Sequence, residues 1–121
     1  MAKLVFISTH GPDDVERASL PWALATASLA SGHEVHMYLQ GPAVELLKRE
    51  GGAQGLQHEP FPALDELIEL FLEAEGHLYG CAPCLQSRSL VQDDLLDGVK
   101  IVGGAAMVDQ CLSADKVFTY A

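Results

Sequence analysis

The sequence predicts an α/β chain of the doubly wound type, a three-layer α/β/α sandwich with a five-stranded parallel sheet. Three observations carry that expectation. Short, almost continuously apolar runs of strand length recur five times along the chain, the pattern of strands buried on both faces. The segments between them are Ala- and Leu-rich or show a helical period, so they read as crossovers. Gly, Pro and Asp cluster where the apolar runs end, as turns require. With 121 residues, 49% of them apolar, the chain has material for one core, and residues 1–121 read as a single domain without repeat, linker or low-complexity tract.

The first strand is Lys3 to Thr9, ending at His10-Gly11-Pro12-Asp13-Asp14. The Ala-rich segment Val15 to Ser31 suits a helix packed on a sheet, stopped by Gly32. Pro21 is expected to kink it or to mark its true first turn. His33 to Leu39 alternates into Val35, Met37 and Leu39 as a second strand, closed by Gln40-Gly41-Pro42. Ala43 to Glu50 reads as a short helix. In Ala63 to Glu75, the residues Leu64, Leu67, Ile68, Phe71 and Leu72 fall on one helical face, opposite Asp65, Glu66, Glu69 and Glu73. His77 to Gly80 is the third strand. The helix expected after it carries Leu85 and Leu90 inward, breaks near Gln92-Asp93 and ends at Gly98. Val99 to Val102 is the fourth strand, Ala105 to Ser113 a helix, and Lys116 to Tyr120 the fifth strand.

Charge narrows the function. Seventeen acidic against seven basic residues give a net charge of -10, which repels phosphate backbones and anionic membrane surfaces, so direct nucleic-acid or membrane binding is not expected. The acidic residues are spread over helix faces and loops, as a solvated surface would have them. Met1-Ala2-Lys3 runs straight into Leu4-Val5-Phe6-Ile7 without the pattern of a signal peptide. No window approaches the roughly 18 apolar residues of a membrane span. A cytoplasmic location is expected, where three cysteines are thiols and a close pair points to chemistry or metal before a structural disulfide.

In doubly wound sheets ligands bind beyond the carboxyl ends of the strands. The turns at that end are His10 to Asp14, Gln40 to Pro42, Gly80 to Cys84, and Gly103-Gly104. The centre is Gly80-Cys81-Ala82-Pro83-Cys84, followed by Arg88. Cys81 stands where a strand gives way to a helix, in front of free backbone N–H groups. A helix N-terminus contributes about 0.3–1 kcal/mol to a nearby anion, so the thiol is expected to titrate up to about one unit below a free cysteine. Gly80 is read as giving access to it. A buried, inert cysteine is the competing reading.

The neighbouring residues divide similarly. Cys84 completes a Cys-x-x-Cys at a helix start, the spacing of dithiol oxidoreductases, although five successive β-α units are not the thioredoxin-like context. Zinc is not expected: the pair lacks a second Cys or His pair, and His33 and His36 point to opposite faces of a strand. Arg88, one turn beyond Cys84, either holds an anionic sulfur or pairs at the surface with Asp93 or Asp94. Cys111 is expected to pack inward with Met107, Val108 and Leu112. His10 and Asp13 either orient or deprotonate a nucleophile or form a simple turn with a helix cap. Gly103-Gly104 is not a phosphate loop, lacking both G-x-G-x-x-G and a following Lys-Ser/Thr, and no cofactor is implied.

These residues resemble the DsrE/DsrF-like family, small α/β proteins of sulfur relay and sulfur oxidation in the Rossmann/flavodoxin-like class. The resemblance is carried by Gly80-Cys81-x-x-Cys84-x-x-x-Arg88, by Leu96-x-Gly98-Val99 and by Ala114-Asp115-Lys116-Val117-Phe118-Thr119-Tyr120. Gly32-His33-Glu34-Val35 and the Gly41 turn are similar but generic. Ser89 stands where the family commonly has Gly after the Arg, so a different helix end is expected there. The resemblance implies that Cys81 carries a persulfide, that Cys84 matches a second cysteine of some members, and that the subunits form trimers or hexamers serving sulfur donor and acceptor proteins. Trp22, Phe61 and Phe71 are candidates for a surface that a partner copy covers. A dithiol redox protein using Cys81 and Cys84, or a non-catalytic oligomeric module, remain the alternatives.

Overall fold

Five parallel strands in the order β4-β3-β2-β1-β5 form the sheet of the computed structural model, which describes residues 1–121. The strands are β1 (Lys3–Ser8), β2 (Glu34–Leu39), β3 (His77–Cys81), β4 (Val99–Val102) and β5 (Lys116–Tyr120). Between them run α1 (Val15–Ala30), α2 (Leu64–Glu73), the short α3 (Ala82–Gln86) and α4 (Gly104–Ser113). Two 3₁₀ segments, Gly41–Leu47 and Gln92–Asp94, complete the crossovers. The expected α/β architecture is therefore the observed one. From β1 through β4 the chain steps in one direction across the sheet, so right-handed crossovers place α1, α2 and α3 on the same face. The step from β4 back to β5 reverses direction and puts α4 on the other.

That topology makes the two faces unequal. On the first, Leu4, Phe6, Met37, Leu39 and Leu78 pack with Trp22, Leu64, Phe71 and Leu85 in a core of 21 buried residues. On the second, the buried apolar set is only Val5, Tyr38 and Tyr79, with Met107 and Cys111 of α4 against it. Trp22 and Phe71 meet edge to face, 5.2 Å between ring centres, inside the first core. They are fully buried within the chain and are not, as the sequence suggested, candidates for a partner to cover. The exposed apolar side chains lie elsewhere, notably Val108 and Leu112 on α4 and Val117 and Phe118 on β5.

Several elements differ from the sequence expectation. Helix α1 already begins at Val15, where the Asp14 carboxylate accepts the Arg17 amide at 3.1 Å, so Pro21 lies in the helix interior rather than in its first turn. The segment expected as a helix from Ala43 starts at Gly41 and is 3₁₀ throughout. Helix α3 stops after Gln86, and Ser89 takes a left-handed φ of 56°, a conformation that favours glycine. Leu90 N and Arg88 N both return to Leu85 O. The helix thus ends in a turn around Leu85 and does not run on to Gln92. Leu85 is buried, as expected.

Candidate functional site

Cys81 is the last residue of β3 and the residue that caps α3. Pro83, with no amide hydrogen, occupies the first turn of that helix, where none is needed. Pairing of β3 with β4 sets Cys81 beside Val102, and α4 opens directly after it. Cys81 consequently lines a cavity of about 30 Å³ together with Tyr38, Gln40, Gly103, Gly104 and Met107, roughly the space of one water molecule. Gly103 caps α4 without a side chain, and a Cβ at either Gly103 or Gly104 would meet nothing. The first amides of α4 have no partner within the helix. Tyr38, which lines the cavity, carries a buried hydroxyl without a hydrogen-bond partner. Burial pushes its pKa up, keeping it a neutral donor.

On its other side Cys81 adjoins Cys84 and Arg88. All three cysteines are free thiols. Cys84 Sγ accepts a hydrogen bond from the amide of Gly41 at 3.3 Å, joining the turn after β2 to the thiol pair. Arg88 Nη1 donates to Cys84 O at 3.0 Å, and its Nε lies 3.9 Å from Glu45 Oε2. The expected surface partners Asp93 and Asp94 are replaced by Glu45, because α3 ends early and turns Arg88 back over the pair.

The thiol's acidity differs from the sequence expectation. Burial first, then the Cys84 thiol, push the Cys81 pKa up, and the Cys84 amide and Arg88 charge pull down without prevailing. A five-residue helix brings too few aligned peptides to overcome desolvation. Gly80 also serves differently. A Cβ there would lie 2.9 Å from Leu47 Cδ1 and 3.0 Å from Leu85 Cδ1, so its small size admits core side chains and not a reactant.

His10 and Asp13 pair with each other, Nδ1 to Oδ2 at 2.9 Å, while the Gly11 amide donates to Asp13 Oδ1 at 2.7 Å. That amide, then His10, hold the Asp13 carboxyl below its usual range despite the opposing cost of burial. The pair follows β1, on the far side of β2 from β3, and neither residue hydrogen-bonds Cys81. Contact between the two regions runs through Gly11, which packs so closely on Pro42 that a Cβ would lie 2.5 Å from its carbonyl oxygen. Gln40 belongs to a turn the sequence already placed at this end of the sheet, whereas Tyr38 was not foreseen and Met107 was expected only as core. The expected inward alternation followed Met37 and Leu39, and the buried run through Tyr38 was the signal that β2 uses both faces. On α4, Met107 and Cys111 face the sheet as expected, but Val108 and Leu112 face outward.

Two larger hollows lie elsewhere. The more apolar, about 400 Å³ between Ala53, Ile68, Leu72 and Leu96, contains no thiol or imidazole. No helix is long and apolar enough to cross a membrane.

Known proteins resemble the chain over almost its full length. An uncharacterized protein, MJ0989, from Methanocaldococcus jannaschii is 27% identical over 118 residues, covering 98% of this chain and 99% of that one. The solved structure of the ychN protein from E. coli superposes with a TM-score of 0.81 at 24% identity, covering 99% and 100% of the two chains. MTH1491 from Methanobacterium thermoautotrophicum gives 0.75 at 17% identity, with 98% and 99% covered. These two structural likenesses establish the shared fold. Family assignment comes from the sequence itself, which matches the DsrE/DsrF-like model from residue 2 to residue 120, and the chain belongs to that family.

Proposed function

We propose that this protein is a cytoplasmic sulfur carrier, with Cys81 as the residue that accepts and passes on a sulfane sulfur. The observation that carries the reading is Cys81 at the end of β3, a free cysteine that lines a cavity with room for about one small group beside the open start of α4. Cys81 thiolate attacks the outer sulfur of a donor persulfide; the donor's inner sulfur leaves as a thiolate and takes a proton, and Cys81 becomes Cys-S-SH. An acceptor thiolate then attacks that outer sulfur and Cys81 leaves as thiolate. One sulfur atom moves at each step, and no external oxidant or reductant is consumed. Arg88 and the Cys84 amide favour the anionic sulfur, Gly103 and Gly104 leave the cavity open, and His10 with Asp13 shapes the neighbouring rim.

The carrier works as a homo-oligomer, a trimer or hexamer, that receives sulfur donor and acceptor proteins. Support comes from the thinly covered second face of the sheet, where α4 has no buried residue and Leu112 is 80% exposed. A second copy of the chain supplies the missing cover. A dithiol redox role for Cys81 and Cys84 is the second reading, favoured by their direct neighbourhood at the start of α3.

Intact mass after exposure to a small-molecule persulfide, with and without later reduction, tests the proposal. One added sulfur removed by reductant supports the carrier. Loss of two hydrogens indicates the dithiol, and an unchanged mass overturns both. Light scattering at micromolar concentration tests the assembly, and a monomer throughout contradicts it.

A further inference from the structure

At the opposite end of the sheet from the thiols, the parallel register brings together three side chains distant in sequence. β2 and β3 pair His36 with His77, and Glu34 projects from the same face as His36, two residues earlier on its strand. One ligand atom from each of Glu34, His36 and His77 lies within 4.8 Å of the other two. His36 is only 5% exposed. Its Nε2–H donates to Glu34 Oε2 at 2.5 Å, and its Nδ1 lies 2.8 Å from the Tyr79 hydroxyl. His77 is exposed, and its ring stacks on that of His36, 4.4 Å between centres and 12° between planes. A Glu-His-Tyr hydrogen-bond chain accounts for Glu34, His36 and Tyr79. It leaves the His77 imidazole, stacked on the His36 ring and within reach of both ligand groups, without a role.

We infer that Glu34, His36 and His77 form a binding site for a divalent transition-metal ion of the zinc type. Two imidazoles and one carboxylate are a ligand set that zinc accepts, with a fourth position left to water. Ligand atoms at about 2.0–2.2 Å from one ion stand roughly 3.3–3.6 Å from one another in a tetrahedral arrangement. The Glu34–His36 pair must therefore open slightly and His77 must swing inward. The first movement is open to Glu34, whose side chain is 37% exposed. The second needs only side-chain rotation of His77, which lies in solvent and so can turn its lone pair from the stacked arrangement toward the ion. With the metal on Nε2, the ring's hydrogen resides on Nδ1, where the Tyr79 oxygen accepts it. This is the outer-sphere contact that orients metal-bound imidazoles. His33 is not part of the group, since its Nδ1 accepts the Ala2 amide at 3.1 Å.

The test is calorimetric titration of the full chain with zinc, repeated with cobalt(II) and read by its visible absorption. It uses wild type, a thiol-free chain (Cys81→Ser, Cys84→Ser, Cys111→Ser), His77→Ala and Glu34→Gln. The site predicts one equivalent bound by wild type and by the thiol-free chain, with affinity at least tenfold weaker in both His77→Ala and Glu34→Gln. Because His77 is exposed, its replacement leaves the fold intact, which circular dichroism verifies. Absence of binding to wild type, or binding that survives His77→Ala and disappears with the thiols, overturns the inference.

Discussion

The amide of Gly41 donates to Cys84 Sγ across 3.3 Å, so the second thiol of the pair is already engaged as an acceptor while Cys81 lines the cavity. In the proposed carrier, sulfur loading is therefore expected to depend on Cys81 and not on Cys84. Cys84→Ser, which keeps an acceptor for Gly41, is expected to retain most of the wild-type loading. Cys84→Val leaves that amide unpaired and lowers stability by about 1 kcal/mol, measured by urea denaturation. Equal loss of loading in Cys81→Ser and Cys84→Ser would establish a cooperating dithiol instead.

Ser89 holds φ at 56° where the chain leaves α3, a conformation costly for a residue with a Cβ. Ser89→Gly relieves that strain and gives back part of the gain through the freer unfolded chain. The expected result is a stabilisation of roughly 0.5–1 kcal/mol, a rise of a few degrees in Tm for a domain of this size. An unchanged or lowered Tm would show that the serine side chain compensates the backbone.

Tyr38 buries a hydroxyl with no hydrogen-bond partner. Removing it in Tyr38→Phe keeps the ring stack on Tyr79, whose centres are 4.2 Å apart, and deletes an unsatisfied group whose burial costs about 1–3 kcal/mol. The variant is expected to be at least as stable as wild type. A loss of more than about 1 kcal/mol would mean that the hydroxyl is bonded in solution.

The pH dependence follows from the raised Cys81 pKa, caused first by burial and then by Cys84. The folded state favours the neutral thiol. Its contribution to stability is complete below the ordinary cysteine value and is lost as pH rises through the higher folded one. Iodoacetamide modification of Cys81, followed by peptide mapping, should be slow at neutral pH and still accelerating above the pH where a free cysteine has levelled off. A rate already level near pH 7 contradicts the burial argument and restores the activated thiol expected from the helix start alone.

Much of this was legible in the sequence, for identifiable reasons. The strands Val99–Val102 and Lys116–Tyr120 appear with the bounds their apolar runs indicate. Leu64, Leu67, Ile68 and Phe71 of α2 are buried as their spacing requires. Local pattern decides such elements. The site was legible only in part, because its geometry is set by sheet register and helix length. Cys81 meets Gly103 and Gly104 through pairing with β4. The direction of its pKa shift is set first by burial and then by the Cys84 thiol, neither of which a local pattern reveals. Gly80 looked like access to a thiol because nothing local reveals Leu47 and Leu85 against it. His36 was weighed with His33, its sequence neighbour, whereas the sheet pairs it with His77.

Residue-resolved mass spectrometry of persulfide-treated protein reads whether the transferred sulfur resides on Cys81. With free thiols blocked before digestion, wild type should carry the added sulfur on the peptide containing Cys81 and Cys84, assigned by fragmentation to Cys81. Cys81→Ser should carry none at any cysteine. Sulfur assigned to Cys84 or Cys111 in wild type, or undiminished loading of Cys81→Ser, would contradict the account.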